Sequence, residues 1–474
     1  MFFMDNYFLN HKHIKLIKID EKVSLFFHTE TMQIYPISDN ELLEFLIIFE
    51  KYGEEDLFKY YSKNEVESIK ESINHTLTSA PKSILFTSDK NQPPEYNTVV
   101  LPIVSDCNLN CPYCFAQTDG GFHFGNFSKE DIVKILEFIV KENKLHSRKF
   151  FCIVFFGGEP LLNFEVIKFT IEYMKNHYSD FNVFYSITTN GTILNDDIIQ
   201  FFRANNVAML ISIDGPDNDY NLRYYKNGNK SLNKVISNIE KLKQNDIRIE
   251  LRATILNRNP YICETFDFLE RFELPFYTCF AYSSENRSHN LSTYDSDTLL
   301  AIRKQFDLLL EYYKNKFKNK EAIYNKRVHD YINALRFRNK IGLACGAGRS
   351  YFTIIANGDI FSCPHFMNDP QYCIGNIDTN LLKKEKYISV NVEDIHECDN
   401  CWIKYFCAGN CLAQKISTGK SNDTATITDT CELEKINFEF YIKLFYYAKK
   451  HFPEYFIITS DEETLKQEKT NVNC

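Results

Sequence analysis

The chain opens with an alternation of apolar and polar positions and continues with two helical patterns. Lys15 to His28 is rich in Ile, Val and Phe, and Met32 to Tyr35 follows after a polar break, which together predict a small β-hairpin. Asp39 to Tyr52 and Lys63 to Leu77 each carry an apolar stripe at helical spacing. Residues 1–95 are therefore expected to form a small N-terminal α+β domain, which contains no cysteine.

From Asn97 onward, short apolar runs alternate with amphipathic stretches, after a proline-containing linker at Ser83 to Tyr96. Six runs predict strands: Thr98 to Val104, Phe150 to Phe156, Val183 to Thr188, Ala208 to Ile213, Arg248 to Ile255 and Phe276 to Tyr282. Five stretches predict helices: Ser128 to Lys144, Phe164 to Asn176, Asn195 to Ala204, Ser231 to Gln244 and Tyr261 to Phe272. Such alternation is typical of a parallel sheet with crossover helices, whose chemistry lies at the carboxyl ends of the strands.

Residues suited to chemistry follow four of these strands. The first strand leads into a loop in which Cys107, Cys111 and Cys114 stand at CxxxCxxC spacing. Three thiolates leave one iron of a 4Fe-4S cluster open for a substrate or cofactor, whereas a zinc site usually takes four closed ligands. The next three strands end in Gly157-Gly158-Glu159-Pro160, Thr188-Thr189-Asn190-Gly191 and Ser212-Ile213-Asp214-Gly215-Pro216. Each of these could be an ordinary turn, but their order behind the cysteines indicates one shared site.

The cysteine loop and the strand-end motifs that follow it resemble those of the radical S-adenosylmethionine (SAM) enzymes. The resemblance implies an α/β fold with a partial (β/α)6 TIM-like barrel, and a SAM-binding 4Fe-4S cluster held by Cys107, Cys111 and Cys114. It also implies that Tyr113 contacts the adenine of SAM. The remaining implied contacts to the methionine end and the ribose of SAM come from Gly157, Gly158, Glu159, Asn190, Ser212 and Asp214.

Two arginines are also expected to bind SAM. Arg223 resembles a family arginine that lies near the SAM carboxylate, although the segment before it is one residue shorter than the usual pattern. Arg252 lies within the fifth predicted strand. A charged group there is either directed inward and paired to a carboxylate, or directed outward on the barrel exterior, because an unpaired buried charge is costly. Three cysteines within apolar patterns are expected to be small buried apolar residues: Cys152, Cys263 and Cys279.

Cysteines return after two helices predicted within Tyr294 to Asn339. Seven of them form a pattern that resembles the SPASM extension, which carries auxiliary iron-sulfur clusters in many radical SAM enzymes. The resemblance implies one cluster held by Cys345, Cys363 and Cys411, and another held by Cys398, Cys401, Cys407 and Cys431. Zinc is the alternative metal, because CxxC pairs suit it too. Cys373 either closes the first auxiliary cluster or leaves it with an open iron.

Composition narrows the class of protein. The 474 residues suffice for two to four domains at about 150 residues each, and the net charge of −9 argues against a nucleic-acid partner. The sequence has no secretory signal pattern and no apolar run of membrane-spanning length. A cytoplasmic protein with reduced thiols and no membrane partner is therefore expected, and its 15 cysteines favour metal ligation over disulfides.

These patterns divide the chain into five expected parts. Residues 1–95 are an N-terminal domain, which is either a winged-helix-like element that holds a leader peptide or a packing extension of the next domain. The other parts are a radical SAM core at 96–290, a helical connection at 291–344, a SPASM domain at 345–435, and a C-terminal helix and tail at 436–474.

The resemblance further implies a reaction. Three 4Fe-4S clusters and SAM would generate a 5′-deoxyadenosyl radical, with electrons supplied by a donor such as flavodoxin or ferredoxin. The favoured interpretation is a maturase that crosslinks a ribosomally made precursor peptide, through a thioether or through a carbon-carbon or carbon-oxygen bond.

Two alternatives stay open. An anaerobic sulfatase maturase would oxidise a serine or cysteine to formylglycine, but its family places an aspartate directly after the cysteine that corresponds to Cys363, where this chain has Pro364 followed by His365. His365 is a candidate base or simply a residue beside a cluster. The other alternative is a zinc-stabilised binding or scaffold protein.

Overall fold

The computed structural model describes residues 10–79, 83–87, 94–116, 124–217, 220–257, 261–281, 294–379, 388–417 and 429–456. Within these ranges the chain forms a mixed α/β structure built on one large, mainly parallel sheet. Tyr282, which ends a predicted strand, and the tail that carries Cys474 lie outside the described residues. No described helix is both long enough and apolar enough to cross a membrane.

The N-terminal part contains three antiparallel strands where the sequence predicted a hairpin. The strands pair in the order β1-β2-β3 and are followed by helices. Their bounds are β1 Ile14–Lys18, β2 Ser24–His28, β3 Gln33–Ile37, α1 Asn40–Tyr52, α2 Glu54–Leu57, α3 Lys63–Thr78 and the short strand β4 Ile84–Phe86. Phe45, Phe49 and Val66 are fully buried between the sheet and the helices, which gives this part a small core of its own.

The six strands predicted after Asn97 are all present and run parallel in chain order. They are β5 Thr98–Val104, β6 Phe150–Gly157, β7 Asn182–Thr189, β8 Ala208–Ser212, β9 Ile249–Ile255 and β10 Phe276–Phe280. The helices between them are α4 Lys129–Leu145, α5 Phe164–His177, α6 Asp196–Ala204, α7 Leu232–Lys243 and α8 Ile262–Glu270. The parallel pairing β5-β6-β7-β8-β9-β10 places the carboxyl ends of all six strands at one edge, as the alternating pattern predicted.

The cysteine-rich region extends this sheet instead of standing apart from it. Strand β12 pairs in parallel with β5, and β13 and β14 continue the sheet in antiparallel order. Sequence patterning missed these strands because each is only two to four residues long. The remaining elements are α9 Ser296–Asn319, α10 Lys326–Phe337, β11 Asn339–Ile341, β12 Tyr351–Ile354, β13 Asp359–Phe361, β14 Gly375–Asn376, α11 Lys404–Cys407, α12 Leu412–Ser417 and α13 Asp429–His451.

The tip of the β2-β3 hairpin docks on the segment that contains Cys398, Cys401 and Cys407. The Phe27 ring lies 6.2 Å from the Trp402 ring and 5.9 Å from the Phe406 ring, measured between centroids. The hydroxyl of Thr29 donates a hydrogen bond to the carbonyl oxygen of Trp402 at 3.0 Å. The N-terminal sheet is therefore part of the same packed unit as the cysteine-rich segment.

Candidate active site

A cavity of about 350 Å³ opens at the carboxyl ends of the parallel strands. The cysteine loop after β5 forms one wall, and the ends of β6 to β10 form the floor. Helices α10 and α13 and the segment around Cys411 close the opposite side. The strand-end rule therefore locates the site, and it brings Cys107, Cys111 and Cys114 to the surface of one cavity.

Two glycines at the end of β6 hold the cysteine loop in place. A Cβ atom on Gly157 would lie 2.4 Å from the carbonyl oxygen of Val104, and one on Gly158 would lie 2.1 Å from that of Asp106. Instead, the Gly158 and Glu159 amides donate hydrogen bonds to those two carbonyl oxygens at 2.9 and 2.8 Å. The paired glycines are thus required by the close approach of the loop backbone, and they also line the cavity.

The three thiols of the loop suit an iron-sulfur cluster with one open iron. Burial raises the pKa of Cys107 to about 11 and that of Cys111 to about 12, and neighbouring thiols and carboxylates oppose ionisation further. A metal ion would replace the proton and neutralise this buried charge. The Sγ atom of Cys107 accepts hydrogen bonds from the Leu109 amide and the Asn190 side-chain amide, at 3.4 and 3.7 Å. These donors would stabilise a thiolate.

Glu159 is fully buried and bonded within the protein. Its carboxylate accepts hydrogen bonds from the Thr189 hydroxyl at 2.7 Å and from the Asn190 and Leu161 amides at 2.8 and 3.1 Å. Burial raises its pKa to about 7, and these three hydrogen bonds act against the shift. Glu159 thus ties the end of β6 to the end of β7, while Gly157, Gly158 and Asn190 lie on the cavity wall.

Asp214, Arg223 and Tyr113 form a buried cluster beside Cys111. Arg223 donates to both carboxylate oxygens of Asp214, from Nε at 2.9 Å and from Nη2 at 3.1 Å. The Tyr113 hydroxyl also bonds to Asp214, and the guanidinium carbon of Arg223 lies 5.5 Å from the centroid of the Tyr113 ring. Arg223, Tyr113 and Ser212 all line the cavity. Three residues that the sequence predicted for one shared site therefore lie together.

Arg252 projects into the cavity, as the inward alternative predicted, but no carboxylate of the described residues forms the expected ion pair with it. Its Nη2 atom lies 3.5 Å from the Sγ atom of Cys279, and its guanidinium carbon lies 5.5 Å from the centroid of the Tyr277 ring. Cys279 was interpreted as a small buried apolar residue. That interpretation is wrong, because Cys279 is half-buried and lines the cavity beside Arg252.

A second group of thiols lies on the far side of the cavity. Burial raises the pKa of Cys363, and the neighbouring Cys411 and Cys345 thiols act in the same direction while Arg252 opposes them. Burial and Cys345 likewise raise the pKa of Cys411, which itself lines the cavity. These three cysteines are close enough to influence one another, as the implied ligand set requires.

Cys373 has a different environment. Its Sγ donates to the carbonyl oxygen of Gly375 at 3.1 Å. Burial raises its pKa, and the neighbouring Asp359 carboxylate acts in the same direction. The thiol of Cys373 is thus bonded to the main chain at the start of β14.

The last four cysteines also form a group. Burial raises the pKa of Cys407 far above its usual value, and Glu434, Cys431, Cys401 and Cys398 contribute to the rise. Among the residues that the structure describes, no three His, Cys, Asp or Glu side chains come close enough to hold a single metal ion.

Three cavity residues carry no sequence motif. Arg327 on α10 donates from Nε to the Thr278 carbonyl oxygen at 3.2 Å and from Nη1 to the Tyr331 hydroxyl at 3.1 Å. Glu434 and Asn437 on α13 also line the cavity, and Asn437 donates to Glu434 at 3.4 Å. The amphipathic pattern predicted these helices, but only their packing across the strand ends directs these side chains to the site.

His365 also lies on the cavity wall. Its ring stacks on Phe115, with 3.8 Å between the ring centroids, and Phe115 stacks in turn on Phe156 at 5.8 Å. His365, the candidate base from the sequence, thus lies beside the cysteine loop in space and two residues after Cys363 along the chain.

Comparison with known proteins places this site in a family. Residues 101–269 match the Radical SAM superfamily. The cysteine-type anaerobic sulfatase-maturating enzyme of Clostridium novyi strain NT is 27% identical over 372 residues, which cover 74% of this chain and 96% of that protein. The radical SAM cyclopropyl synthase TigE of Paramaledivibacter caminithermalis is 25% identical over 404 residues, which cover 77% of this chain and 76% of TigE.

A solved structure shares the fold. Native anSMEcpe with bound AdoMet superposes with a TM-score of 0.60 at 18% identity, covering 74% of this chain and 96% of the other. The family match spans β5 to α8, which includes the cysteine loop and the strand ends that line the cavity. Residues 101–269 are therefore a radical SAM domain, and the protein is a radical SAM enzyme.

Proposed function

We propose that the protein is a SPASM-type radical SAM maturase that installs a crosslink in a ribosomally made peptide, with a thioether favoured over a carbon-carbon or carbon-oxygen bond. One observation carries the proposal: the cysteine loop and Cys411 line the same cavity. A peptide held there would lie between the site of radical formation and the first auxiliary thiol group.

The residues of the first site divide the work of holding SAM. A reduced 4Fe-4S cluster with bound SAM supplies a 5′-deoxyadenosyl radical, which removes a hydrogen atom from an unactivated carbon. Gly157 and Gly158 would offer backbone groups to the methionine end, and Asn190 and Ser212 would offer polar side chains. Tyr113 would contact the adenine. Asp214 would hold Arg223 in place through its two hydrogen bonds.

The second site supports the thioether interpretation. Cys345, Cys363 and Cys411 would be the three ligands, and the hydrogen bond from the Cys373 thiol to the carbonyl oxygen of Gly375 supports leaving Cys373 out of the set. A cluster held by three cysteines keeps an iron that can take another ligand. In the proposed reaction that ligand is the thiolate of a substrate cysteine. Cys398, Cys401, Cys407 and Cys431 would hold the second auxiliary cluster.

The N-terminal domain is proposed to bind the leader of the precursor peptide. Strand β3 ends the three-stranded sheet, so one of its edges has no partner among the described strands. An extended peptide can add to such an edge through main-chain hydrogen bonds, which hold it without specifying its side chains. The reducing electrons would come from a flavodoxin or ferredoxin.

Formation of formylglycine is the second candidate, because a sulfatase-maturating enzyme is among the relatives and aligns over 96% of its own length. The residue after Cys363 argues against it, since Pro364 has no group that accepts a proton. His365 would have to serve as the base instead. The zinc-stabilised scaffold is no longer supported, because the family is one of enzymes.

The test is co-expression under anaerobic conditions with each short open reading frame next to the gene, followed by mass spectrometry of the peptide. A thioether crosslink removes two hydrogens and leaves the joined cysteine unreactive toward iodoacetamide. A carbon-carbon or carbon-oxygen crosslink also removes two hydrogens but leaves cysteines reactive.

A parallel incubation uses a sulfatase peptide that contains the target cysteine or serine. Formylglycine is an aldehyde and would form a hydrazone with dinitrophenylhydrazine, which no crosslink does. A hydrazone-forming product here, with no change in any neighbouring short peptide, would replace the crosslinking proposal with the second candidate.

A further inference from the structure

Two arginines converge on the end of strand β10 inside the cavity. The Nη2 atom of Arg252, on β9, lies 3.5 Å from the Sγ atom of Cys279, and its guanidinium carbon lies 5.5 Å from the centroid of the Tyr277 ring. Arg327, on α10, donates from Nε to the carbonyl oxygen of Thr278, the residue between those two. Both arginines line the cavity together with Thr278 and Cys279. Two positive charges are thus held at one strand end.

Neither charge is balanced by an ion pair. Within the ranges that the structure describes, no carboxylate oxygen lies within 4 Å of the nitrogens of Arg252 or Arg327. The third arginine of the cavity, Arg223, is by contrast bonded to both oxygens of Asp214. Glu434 is the one acidic side chain among the described residues that line the cavity. Two half-buried guanidinium groups in such a place are unfavourable unless an anion joins them.

Both guanidinium groups also have N–H donors that the protein does not use. Arg327 donates from Nε and from Nη1, the latter to the Tyr331 hydroxyl, and its Nη2 atom makes no hydrogen bond to a described residue. Arg252 has the long contact with the Cys279 thiol and no other hydrogen bond within the described part of the chain. A carboxylate accepts such donors in pairs, and these charge-assisted hydrogen bonds are about twice as strong as neutral ones.

The arginine pair lies on strands that the proposed SAM site does not use. Among the six parallel strands, the cysteine loop follows β5, and the strand-end residues proposed to hold SAM come from β6, β7 and β8. Arg252 lies in β9, and Arg327 contacts β10, the last strand in the order. This end of the cavity therefore has room for the group that meets the radical, although the sequence resemblance grouped Arg252 with SAM.

We propose that Arg252 and Arg327 together bind a carboxylate of the peptide substrate, close to the residue that is modified. The proposal rests on the proposed function, in which the substrate is a peptide. The carboxylate belongs to an aspartate or glutamate side chain or to the C-terminus, because both present the same two oxygens. Its binding would fix the position of the peptide across the cavity. The two arginines are therefore specificity-determining residues.

The experiment measures binding and requires no reaction. The blocked peptide N-acetyl-Gly-Asp-Gly-amide is compared with N-acetyl-Gly-Asn-Gly-amide, which lacks the charge, and with N-acetyl-Gly-Asn-Gly with a free C-terminus. Each is titrated into the anaerobic full-length protein with SAM bound, by saturation-transfer nuclear magnetic resonance. At least one of the two charged peptides is expected to bind about tenfold more tightly than the uncharged one. The charged peptide that binds more tightly identifies the source of the carboxylate.

Variants then connect this preference to the two arginines. Arg252→Gln and Arg327→Gln should each remove most of it, whereas Arg327→Lys keeps the charge and should retain part of it. Arg203→Gln, which removes an exposed arginine on α6, is the matched control and should bind as the wild type does. Iron content and SAM retention, measured for every variant, report whether the cavity is intact. Equal binding of all three peptides by the wild type, or an unchanged preference in both glutamine variants, would overturn the proposal.

Two outcomes separate the arginine site from other assignments. Loss of SAM retention in Arg252→Gln, with the preference for a carboxylate unchanged, would assign Arg252 to SAM and overturn the role proposed here. The crosslinking function fails in a different experiment, when co-expression yields no crosslinked peptide. A preference for a carboxylate that depends on both arginines would still establish the binding site in that case.

Discussion

At the scale of the residue, a substitution at Cys111 tests the cysteine loop separately from the downstream cysteines. Under the proposed function, Cys111→Ala removes one of three ligands from the SAM cluster and leaves the seven downstream cysteines that would hold the auxiliary clusters intact. We expect no 5′-deoxyadenosine from SAM and dithionite, and about eight of about twelve iron atoms retained per chain. Chromatography measures the 5′-deoxyadenosine that is formed, and iron analysis measures the iron retained per chain. Continued SAM cleavage by the variant would refute the assignment of the loop.

The sequence left open whether Cys373 is a ligand of the first auxiliary cluster. Because its thiol donates to the carbonyl oxygen of Gly375, we expect Cys373→Ala to keep the iron content and the auxiliary electron paramagnetic resonance signal. Cys363→Ala is the matched control and should lose about four iron atoms. Equal iron loss in both variants would make Cys373 a ligand and leave no open iron for a substrate thiolate.

Glu159 makes stability depend on pH. Its pKa is raised to about 7 in the folded protein, so between about pH 5 and pH 7 the folded chain binds a proton that the unfolded chain has released. Its contribution to stability therefore falls as the pH rises through this window. In Glu159→Gln this contribution is absent.

Urea unfolding at a series of pH values tests the prediction for Glu159. The free energy of unfolding of the wild type, relative to Glu159→Gln, should fall by about 1–3 kcal/mol from pH 5 to pH 8. Glu165→Gln, an exposed change at the start of α5, serves as the control and should leave the wild-type profile unaltered. Parallel profiles for the wild type and Glu159→Gln would contradict a raised pKa of Glu159.

At the scale of the element, the β2-β3 hairpin is attached to the cysteine-rich segment by a buried charge network. Glu30 at its tip accepts a hydrogen bond from Lys340 at 3.0 Å. The Tyr405 hydroxyl lies 2.9 Å from Glu30 and 2.6 Å from Glu393, and its single proton is donated to one of these two carboxylates at a time. The side chain of Lys340 is only 8% exposed, so the loss of its partner leaves a charge that water reaches poorly.

We expect Glu30→Gln to lower the free energy of unfolding by about 1–3 kcal/mol, as for other hydrogen bonds to charged groups. Thermal unfolding of the anaerobic protein measures this. Glu67→Gln breaks an exposed pair with Lys63 on α3 and should change stability by less than about 1 kcal/mol. Similar small effects of both changes would show that the hairpin does not depend on this network.

Sequence patterns predicted some of the strands accurately and missed others. Strands β5 to β10 alternate with amphipathic helices and were predicted within two residues at the ends that the structure describes, because each is five to eight residues long and contains several apolar residues. Strands β12 to β14 were missed, since two to four residues carry too little pattern. They are stabilised by pairing with β5, a contact that is distant in sequence.

At the scale of the whole molecule, the N-terminal part is not an independent unit. Ile17, Leu25, Phe27 and Met32 belong to the same buried core as the parallel sheet. The two interpretations from the sequence, a leader-binding domain and a packing extension, are thus compatible: one face of the sheet packs on the rest of the chain, and the edge of β3 has no described strand beside it.

A chain that begins at residue 94 should therefore fold poorly. It would expose the surfaces of Trp402 and Phe406 that Phe27 covers, beside the segment of Cys398, Cys401 and Cys407. We expect a large loss of soluble, monodisperse protein by size-exclusion chromatography and less iron per chain than in the full-length protein. A monodisperse fragment with full iron content would show that the N-terminal part is separable.

The sequence by itself determined the parallel α/β core, the three-thiol loop and the order of the strand-end motifs, because these depend on local periodicity and on spacing along the chain. The tertiary structure decided which side chains meet. It directed Arg252 and Cys279 into the cavity, brought Arg327 and Glu434 from helices without motifs, and turned Cys373 toward Gly375. Such contacts join residues far apart in the chain, and only the packing of complete elements determines them.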